Sequence, residues 1–230
     1  MSDISLLQKE QAADGLHLLR FEAEAPLLDQ FSIPGQYAII RTSPEQERPA
    51  FFALASSPAD PYLEFIIKES PGPAGDMLEL NPGQSIECSS IQGPGFNISC
   101  QSTDPDIHMF SMGSGLAPFR ALIRKVAAQE SRCKLHLWQA AFRLSAVPLI
   151  AELEQFQSDG ILTLHLCLDD EQGKTNQPFF AGQVQQALEA YEEDMKDSRL
   201  LWIGSHEFGE SLKLALNHLG INTDRLVTNY

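Results

Sequence analysis

Apolar and polar positions alternate in short runs through the first half of the chain. Over 16–21, Leu16 and Leu18 flank His17, and Leu19 and Phe21 flank Arg20. This predicts a half-buried strand with His17 turned away from the core. The doubled leucine at 18–19 breaks the period and predicts a bulge there. Further strands are predicted over 37–41, 51–56, 62–68 and 85–89, and a last short one starting at Ile98. Pro34-Gly35 and Asn81-Pro82-Gly83 mark turns, and Gly93-Pro94-Gly95 marks a corner. Pro71, Gly72, Pro73 and Gly75 exclude a regular interior element over 69–75, with a short helix predicted over 76–80. Six or so short strands at this spacing predict a closed antiparallel barrel.

The period changes after a polar stretch over 101–106 that carries Pro105. A boundary there divides the chain into domains 1–103 and 104–230. Apolar runs over 107–112, 133–139, 161–168, 200–204 and 225–228 predict strands. Helical patterns over 118–129, 147–156, 182–191 and from 208 or 210 to 219 separate them. This alternation predicts a C-terminal α/β domain, a parallel sheet with helices on both faces. Ligands of such sheets sit beyond the carboxyl ends of the strands, and Ser114, Ala140 and Ser205 all follow such ends. No internal repeat is present in the sequence.

The stretch from His108 to Arg120 joins an apolar run to a helix through Met112-Gly113-Ser114-Gly115. Phe119, Leu122, Ile123 and Val126 share one helical face. Pro118 suits a first helical turn, where its missing N–H has no partner to lose. Gly113 and Gly115 permit a sharp turn and close approach by a phosphate. The third glycine of GxGxxG is absent, so an ordinary tight strand–helix connection reads equally well from this stretch alone.

The formal net charge of -15, spread over both halves, excludes non-specific nucleic-acid binding, which needs clustered Lys and Arg. It disfavours an anionic membrane surface for the same reason. Cys88, Cys100, Cys133 and Cys167 form no CxxC pair and no zinc or iron–sulfur signature. His136 and His165 alternate on neighbouring predicted strands without a third ligand, so they read as structural and no metal site is assigned. Gly-x-Ser-x-Gly is absent, which excludes the corresponding hydrolase chemistry. No run reaches transmembrane length and the first residues lack a leader pattern, so a cytoplasmic or other soluble reducing compartment is expected.

The ordered pieces PGQY, FALAS, GPGF and MGSGLAPFRALI, followed by a late strand ending in glycine, resemble the ferredoxin–NADP reductase superfamily. The resemblance covers nearly the whole chain, and MGSGLAPFRALI within this order is its most specific part. It implies a flavin-binding barrel followed by a nicotinamide-nucleotide domain. It further implies electron transfer between NADH or NADPH and an acceptor through FAD, with FMN as the other flavin. By this resemblance Phe52 takes the flavin-stacking position and Ala53 that of a hydrogen-bonding Ser or Thr. Leu54, Ala55 and Ser56 continue the strand along the isoalloxazine. Gly72, Gly75 and Leu78 fall in the flavin-pyrophosphate segment. Gly113, Ser114, Gly115, Ala117 and Pro118 fall beside the nicotinamide-dinucleotide pyrophosphate and nicotinamide. Arg143 reaches a ribose or phosphate, Gly204 and Ser205 lie near the nicotinamide, and Tyr230 covers the flavin.

Several positions depart from the family pattern. Ala50 stands where an arginine is usual, leaving Arg48 as the substitute phosphate ligand. Gly75 replaces a Ser or Thr, Ala140 and Phe142 replace a glycine and an arginine, and Ile203 replaces a cysteine. Hydride transfer between nicotinamide and flavin needs no protein acid or base, so no catalytic side chain is assigned. Two functions follow: a flavin oxidoreductase serving an external small-molecule or protein acceptor, or a reductase-like subunit that binds or assembles without catalysis.

Overall fold

The computed structural model describes residues 2–98, 104–129, 133–170, 178–191 and 195–229. The chain divides into two compact units. One comprises Met1–Ile98, Leu116–Ala128 and Asn229–Tyr230; the other comprises Ser99–Gly115 and Gln129–Thr228.

The first unit contains strands β1 (Ser2–Ala13), β2 (Leu16–Glu22), β3 (Tyr37–Arg41), β4 (Ala50–Ala53), β5 (Leu63–Lys68) and β6 (Ser85–Gln92). Its helices are α1 (Ala25–Leu28), α2 (Pro73–Glu79) and α3 (Leu116–Ala128). The strands form one antiparallel sheet in the order β4-β3-β6-β1-β2-β5. Just past β4, the Ala55 N–H donates to the Glu64 carbonyl of β5 at 2.7 Å. That bond ties the two outermost strands and closes the sheet toward the expected barrel. Ile4, Leu19, Phe21, Ile40, Phe65 and Ile86 fill its core, with Phe21 edge-on to Phe65 at 5.7 Å.

Strand β1 and helix α1 are additions to the sequence reading. β1 carries exposed Gln8, Lys9 and Glu10, so its strand state comes from pairing with β2 and β6 rather than from an apolar run. The bulge also falls on β1. Leu6 pairs with Phe21 and Gln8 with Arg20, leaving Leu7 over and 48% exposed, while Leu18 and Leu19 are both buried. Helix α2 starts at Pro73, inside the segment where no regular element was expected. Proline there occupies the first turn, and Gly72 at φ 81° makes the entry. β4 ends at Ala53 rather than 56, and Ile98 is not in a strand.

The second unit contains β7 (Ile107–Met112), β8 (Leu135–Ala141), β9 (Leu162–Leu168), β10 (Phe179–Ala181), β11 (Arg199–Ile203) and β12 (Leu226–Val227). Its helices are α4 (Ile150–Ser158), α5 (Val184–Glu189) and α6 (His206–His218). All neighbouring strands are parallel, in the order β10-β9-β8-β7-β11-β12. β7 and β8 are buried on both faces, as continuous apolar runs require. The short β10 was not anticipated.

An aromatic ladder crosses β7, β8 and β9. Phe110, Trp138 and His165 stand in register, as do His108 and His136, and Trp138 stacks on His165 at 4.0 Å. Trp138 Nε1 donates to His108 Nδ1 at 3.1 Å, and Tyr191 meets the stack edge-on. Burial, with the neighbouring His136 and His165, pushes His108 down to about 3, so it stands as a neutral acceptor. Among the described residues no group of three or more His, Cys, Asp or Glu is arranged to hold a metal. In the same core, Gly209 lets α6 rest on Trp202, where a Cβ would lie 2.3 Å from the indole. No described helix is long and apolar enough to cross a membrane.

Candidate functional site

The motif segments of the first unit meet one another. Pro34-Gly35 lies against the Gly93–Phe96 corner: the Phe96 N–H donates to the Pro34 carbonyl at 2.6 Å. A Cβ on Gly35 would come within 2.8 Å of the Phe96 ring, so only glycine fits. Phe96 in turn stacks on Phe119 of α3 at 5.4 Å. Asn229, 4% exposed, donates its side-chain amide to the Gly35 carbonyl at 2.8 Å. Sequence reading named Gly35, Phe96 and Phe119 only as parts of separate motifs. Tyr230 lies outside the described residues.

The segment assigned to the flavin runs along β4. Phe52 and Ala53 are half-buried, and Phe52 makes an edge contact with Phe65 at 6.5 Å. Leu54, Ala55 and Ser56 are fully buried, so their side chains offer a ligand no face. They are held in place instead. The Ser56 hydroxyl accepts the Glu64 N–H at 3.1 Å, and the Ala55 carbonyl accepts Arg120 Nη1 at 2.9 Å. The exposed aromatic of this strand is Phe51, 61% exposed and edge-on to Tyr37 at 5.5 Å, which sequence reading passed over. Its signal was the strand alternation, which turns neighbouring residues to opposite faces.

A buried charge cluster underlies that segment. Glu64, 0% exposed, accepts from Arg20 at 2.7 and 2.9 Å, Arg120 at 2.6 Å and Arg124 at 3.4 Å. Arg124 also pairs with Asp60 at 3.1 Å. Burial alone pushes the Glu64 carboxyl up, but Arg120, by charge and hydrogen bond, with Arg20 and Arg124, holds it below the usual range.

The phosphate-side residues divide by what surrounds them. Gly72 has open space where a Cβ would sit, whereas a Cβ on Gly75 would meet the Ser70 carbonyl at 2.8 Å. The Ser or Thr usual at that position has no room here. Thr42 donates to Asp76 at 2.6 Å and bonds Gln46, whose amide donates to the Arg48 carbonyl at 2.7 Å. These bonds brace the loop that carries Arg48. The Arg48 side chain is exposed.

In the second unit, Gly113–Gly115 form a 3-10 turn at the carboxyl end of β7. Gly113, at φ 54°, faces open space. A Cβ on Gly115 would lie 2.7 Å from the Ile203 carbonyl, and one on Gly204 2.6 Å from the Phe208 ring. One glycine is therefore free to meet a ligand, and two serve packing. Ser114 is half-buried, and Ala117 and Pro118 are buried at the start of α3. Ser205 caps α6 by accepting the Phe208 N–H at 3.2 Å. Arg143 is exposed on the loop after β8.

The carboxyl ends of β7, β8 and β9 open into a cavity of about 290 Å³. Met112, Ala140, Ala141, Phe142, Cys167, Asp169, Ser205 and Glu207 are among its lining residues. The chain runs β7, β8, β9 in one direction and then returns across β7 to β11. This reversal is the switch point where open parallel sheets bind ligands. Asp169 and Glu207 were not selected as binding residues from the sequence, whereas Phe142 belongs to the Gln139–Phe142 stretch that the resemblance places in a nucleotide-contacting loop. Cys88 and Cys167 are free and buried, whereas Cys133 is disulfide-bonded, which leaves the expected reducing compartment without support from the cysteines.

No family model matches the chain. It is 26% identical, over 94% of its length, to the ferredoxin–NAD(P)(+) reductase component of the naphthalene 1,2-dioxygenase system of Pseudomonas putida, covering 65% of that protein. It is 30% identical over 56% of its length to the reductase component of the naphthalene 1,2-dioxygenase/salicylate 5-hydroxylase systems of a Ralstonia species, covering 38% of it. The chain thus spans less than two thirds of the length of these relatives. Among solved structures, the FAD/NAD-binding domain of nitric oxide dioxygenase from Vibrio cholerae superposes with a TM-score of 0.82 at 16% identity, over 98% of this chain and 96% of that one. Flavohemoglobin from Malassezia yamatoensis, with FAD and heme bound, gives 0.80 at 18% identity, over 99% and 59%. The fold is the one these FAD- and NAD-binding structures share. Ferredoxin–NADP+ reductase from Plasmodium falciparum has the same two-domain fold, with a TM-score of 0.79 at 14% identity, as the resemblance of the sequence motifs implied.

Proposed function

We propose that the chain is a flavin-dependent oxidoreductase that takes electrons from NADH or NADPH and passes them to an external acceptor. The observation that carries this reading is the cavity at the switch point of the second unit, beside the turn whose Gly113 faces open space. The relatives' names support it, since they are reductase components of oxygenase systems. The domains are 1–103 for the flavin and 104–230 for the dinucleotide. The acceptor is a one-electron carrier of the ferredoxin kind or a small molecule, and the setting is soluble.

The residues of the first unit fit a flavin, with FAD preferred to FMN. Phe52 and Ala53 would lie along the ring and Gly72 would admit a phosphate on its open side. Arg48 would pair with that phosphate through two parallel hydrogen bonds. Leu54, Ala55 and Ser56 would act by fixing the backbone of β4. In the second unit Gly113 and Ser114 would receive the dinucleotide pyrophosphate on backbone N–H groups, and Gly204 and Ser205 would border the nicotinamide. Tyr230 is proposed as a flavin cover on the resemblance alone. When bound, the flavin supplies hydride acceptance and one-electron release, and the protein supplies position.

The test is anaerobic mixing of flavin-loaded protein with NADH and with NADPH, followed by absorbance. Bleaching of the flavin band and steady reduction of an artificial acceptor are expected. Protein that takes up neither FAD nor FMN would instead favour the non-catalytic subunit, the reading motivated by Ala50, Ala53 and Ile203.

A further inference from the structure

The cavity of the second unit carries charge of one sign. Among the described residues its lining includes two carboxylates, Asp169 just past β9 and Glu207 in the first turn of α6, and no Lys, Arg or His. Both residues are exposed to solvent. The Glu207 carboxyl is held below its ordinary range by its own backbone N–H and the Ser205 hydroxyl, so it is ionised at neutral pH. The same lining presents two exposed apolar side chains, Phe142 at 62% and Met112 at 44%. Phe142 stands where the resemblance leads one to expect arginine.

NADH and NADPH differ by one group, the phosphate on the 2′-oxygen of the adenosine ribose. An ionised carboxylate is an acceptor with two oxygens, and it suits a ribose diol that donates two O–H bonds. The same carboxylate repels a phosphate, and no cation among the described lining residues offsets that repulsion. An exposed phenyl face suits a purine, which stacks without needing charge.

We infer that the chain selects NADH against NADPH, with Asp169 as the specificity-determining residue, Glu207 adding to the negative field of the cavity, and Phe142 as the face for adenine. The inference rests on the reading of this cavity as the dinucleotide site. The rejection of NADPH is an act of repulsion, so it weakens as salt screens the carboxylates.

Calorimetric titration of the flavin-loaded protein with NAD+, NADP+, 5′-AMP and 2′,5′-ADP tests it without turnover. NAD+ and 5′-AMP are expected to bind at least about tenfold more tightly than their 2′-phosphorylated counterparts, with the gap narrowing in high salt. Asp169→Asn combined with Glu207→Gln should shrink the gap while circular dichroism stays unchanged. Phe142→Ala should weaken the paired ligands together and leave their ratio alone. Equal or tighter binding of 2′,5′-ADP would overturn the inference, most directly if Arg143→Ala abolished it. In that outcome flavin reduction by NADPH would leave the oxidoreductase reading standing. Failure of all four ligands to bind would overturn the inference and the assignment of the cavity together.

Discussion

Replacing Glu64 by glutamine should unbalance the first unit more than any surface change. The carboxylate is fully buried and accepts from three guanidinium groups. Two of them have other places to go. The Arg20 side chain is 35% exposed and lies over the Tyr62 ring at 4.4 Å, and Arg124 keeps Asp60. Arg120 keeps the Ala55 carbonyl at 2.9 Å but stays out of water, with a side chain only 5% exposed. Breaking a buried pair by removing one partner costs about 3–5 kcal/mol, because the other charge stays desolvated. At roughly 2–4 °C per kcal/mol for a chain of this size, the midpoint of thermal unfolding should drop by roughly 6–20 °C. The double variant Glu64→Gln, Arg120→Met should lose less than the sum of the single losses, by about 2 kcal/mol or more. The pH response has a definite sign. The folded carboxyl titrates below its ordinary value of 4.5, so its stabilisation is present above that pH and is lost as acid takes the pH through the folded value. Glu64→Gln should lack this acid-side loss. A cost below about 1 kcal/mol, the level of an exposed pair, would refute the assignment of a buried cluster.

Three further outcomes follow from the same packing. His108 accepts no proton until about pH 3, while the unfolded chain takes one near 6.5. Stability should therefore fall as the pH drops below 6.5, by roughly 2 kcal/mol from this group at pH 5, and His108→Gln should flatten that slope in urea unfolding. Gly209→Ala, which gains up to about 1 kcal/mol in an unobstructed helix, should instead destabilise, because the added Cβ would press on the Trp202 ring. A raised melting temperature with unchanged tryptophan fluorescence would contradict that contact. Gly75→Ser, which restores the family's usual residue, should lower the melting temperature without tightening flavin binding in a fluorescence titration, since the Ser70 carbonyl occupies the space. Tighter binding at constant stability would refute it.

The elements best legible in the sequence were those whose burial shows in local pattern. β7 and β8 read as apolar runs because parallel core strands are covered on both sides, and α3 and α6 read as helical stripes. β1 was missed because Gln8, Lys9 and Glu10 face outward, although Asp14-Gly15 after it is a hairpin signal. β10 is three residues long and exists by pairing with β9. Of the site, the glycine turn was legible, but the roles of Gly113, Gly115 and Gly204 were not separable. Only the neighbours of Gly115 and Gly204 distinguish packing from ligand access. The Glu64 cluster joins residues 56 positions apart, and no local pattern carries such a pair. Asp169 and Glu207 come from different strand ends and meet only through the sheet's connectivity.

Helix α3 continues directly from the turn that ends β7, yet it is counted with the barrel, where Arg120 and Phe119 are received. The order of residues and the order of bodies therefore disagree. A truncated gene stopping at residue 103 would yield a barrel in which Glu64 keeps Arg20 but loses Arg120 and Arg124, and Phe96 loses its stacking partner Phe119. Neither 1–103 nor 104–230 is therefore a self-sufficient piece for expression: the first lacks α3, and the second carries that helix without the barrel that receives it.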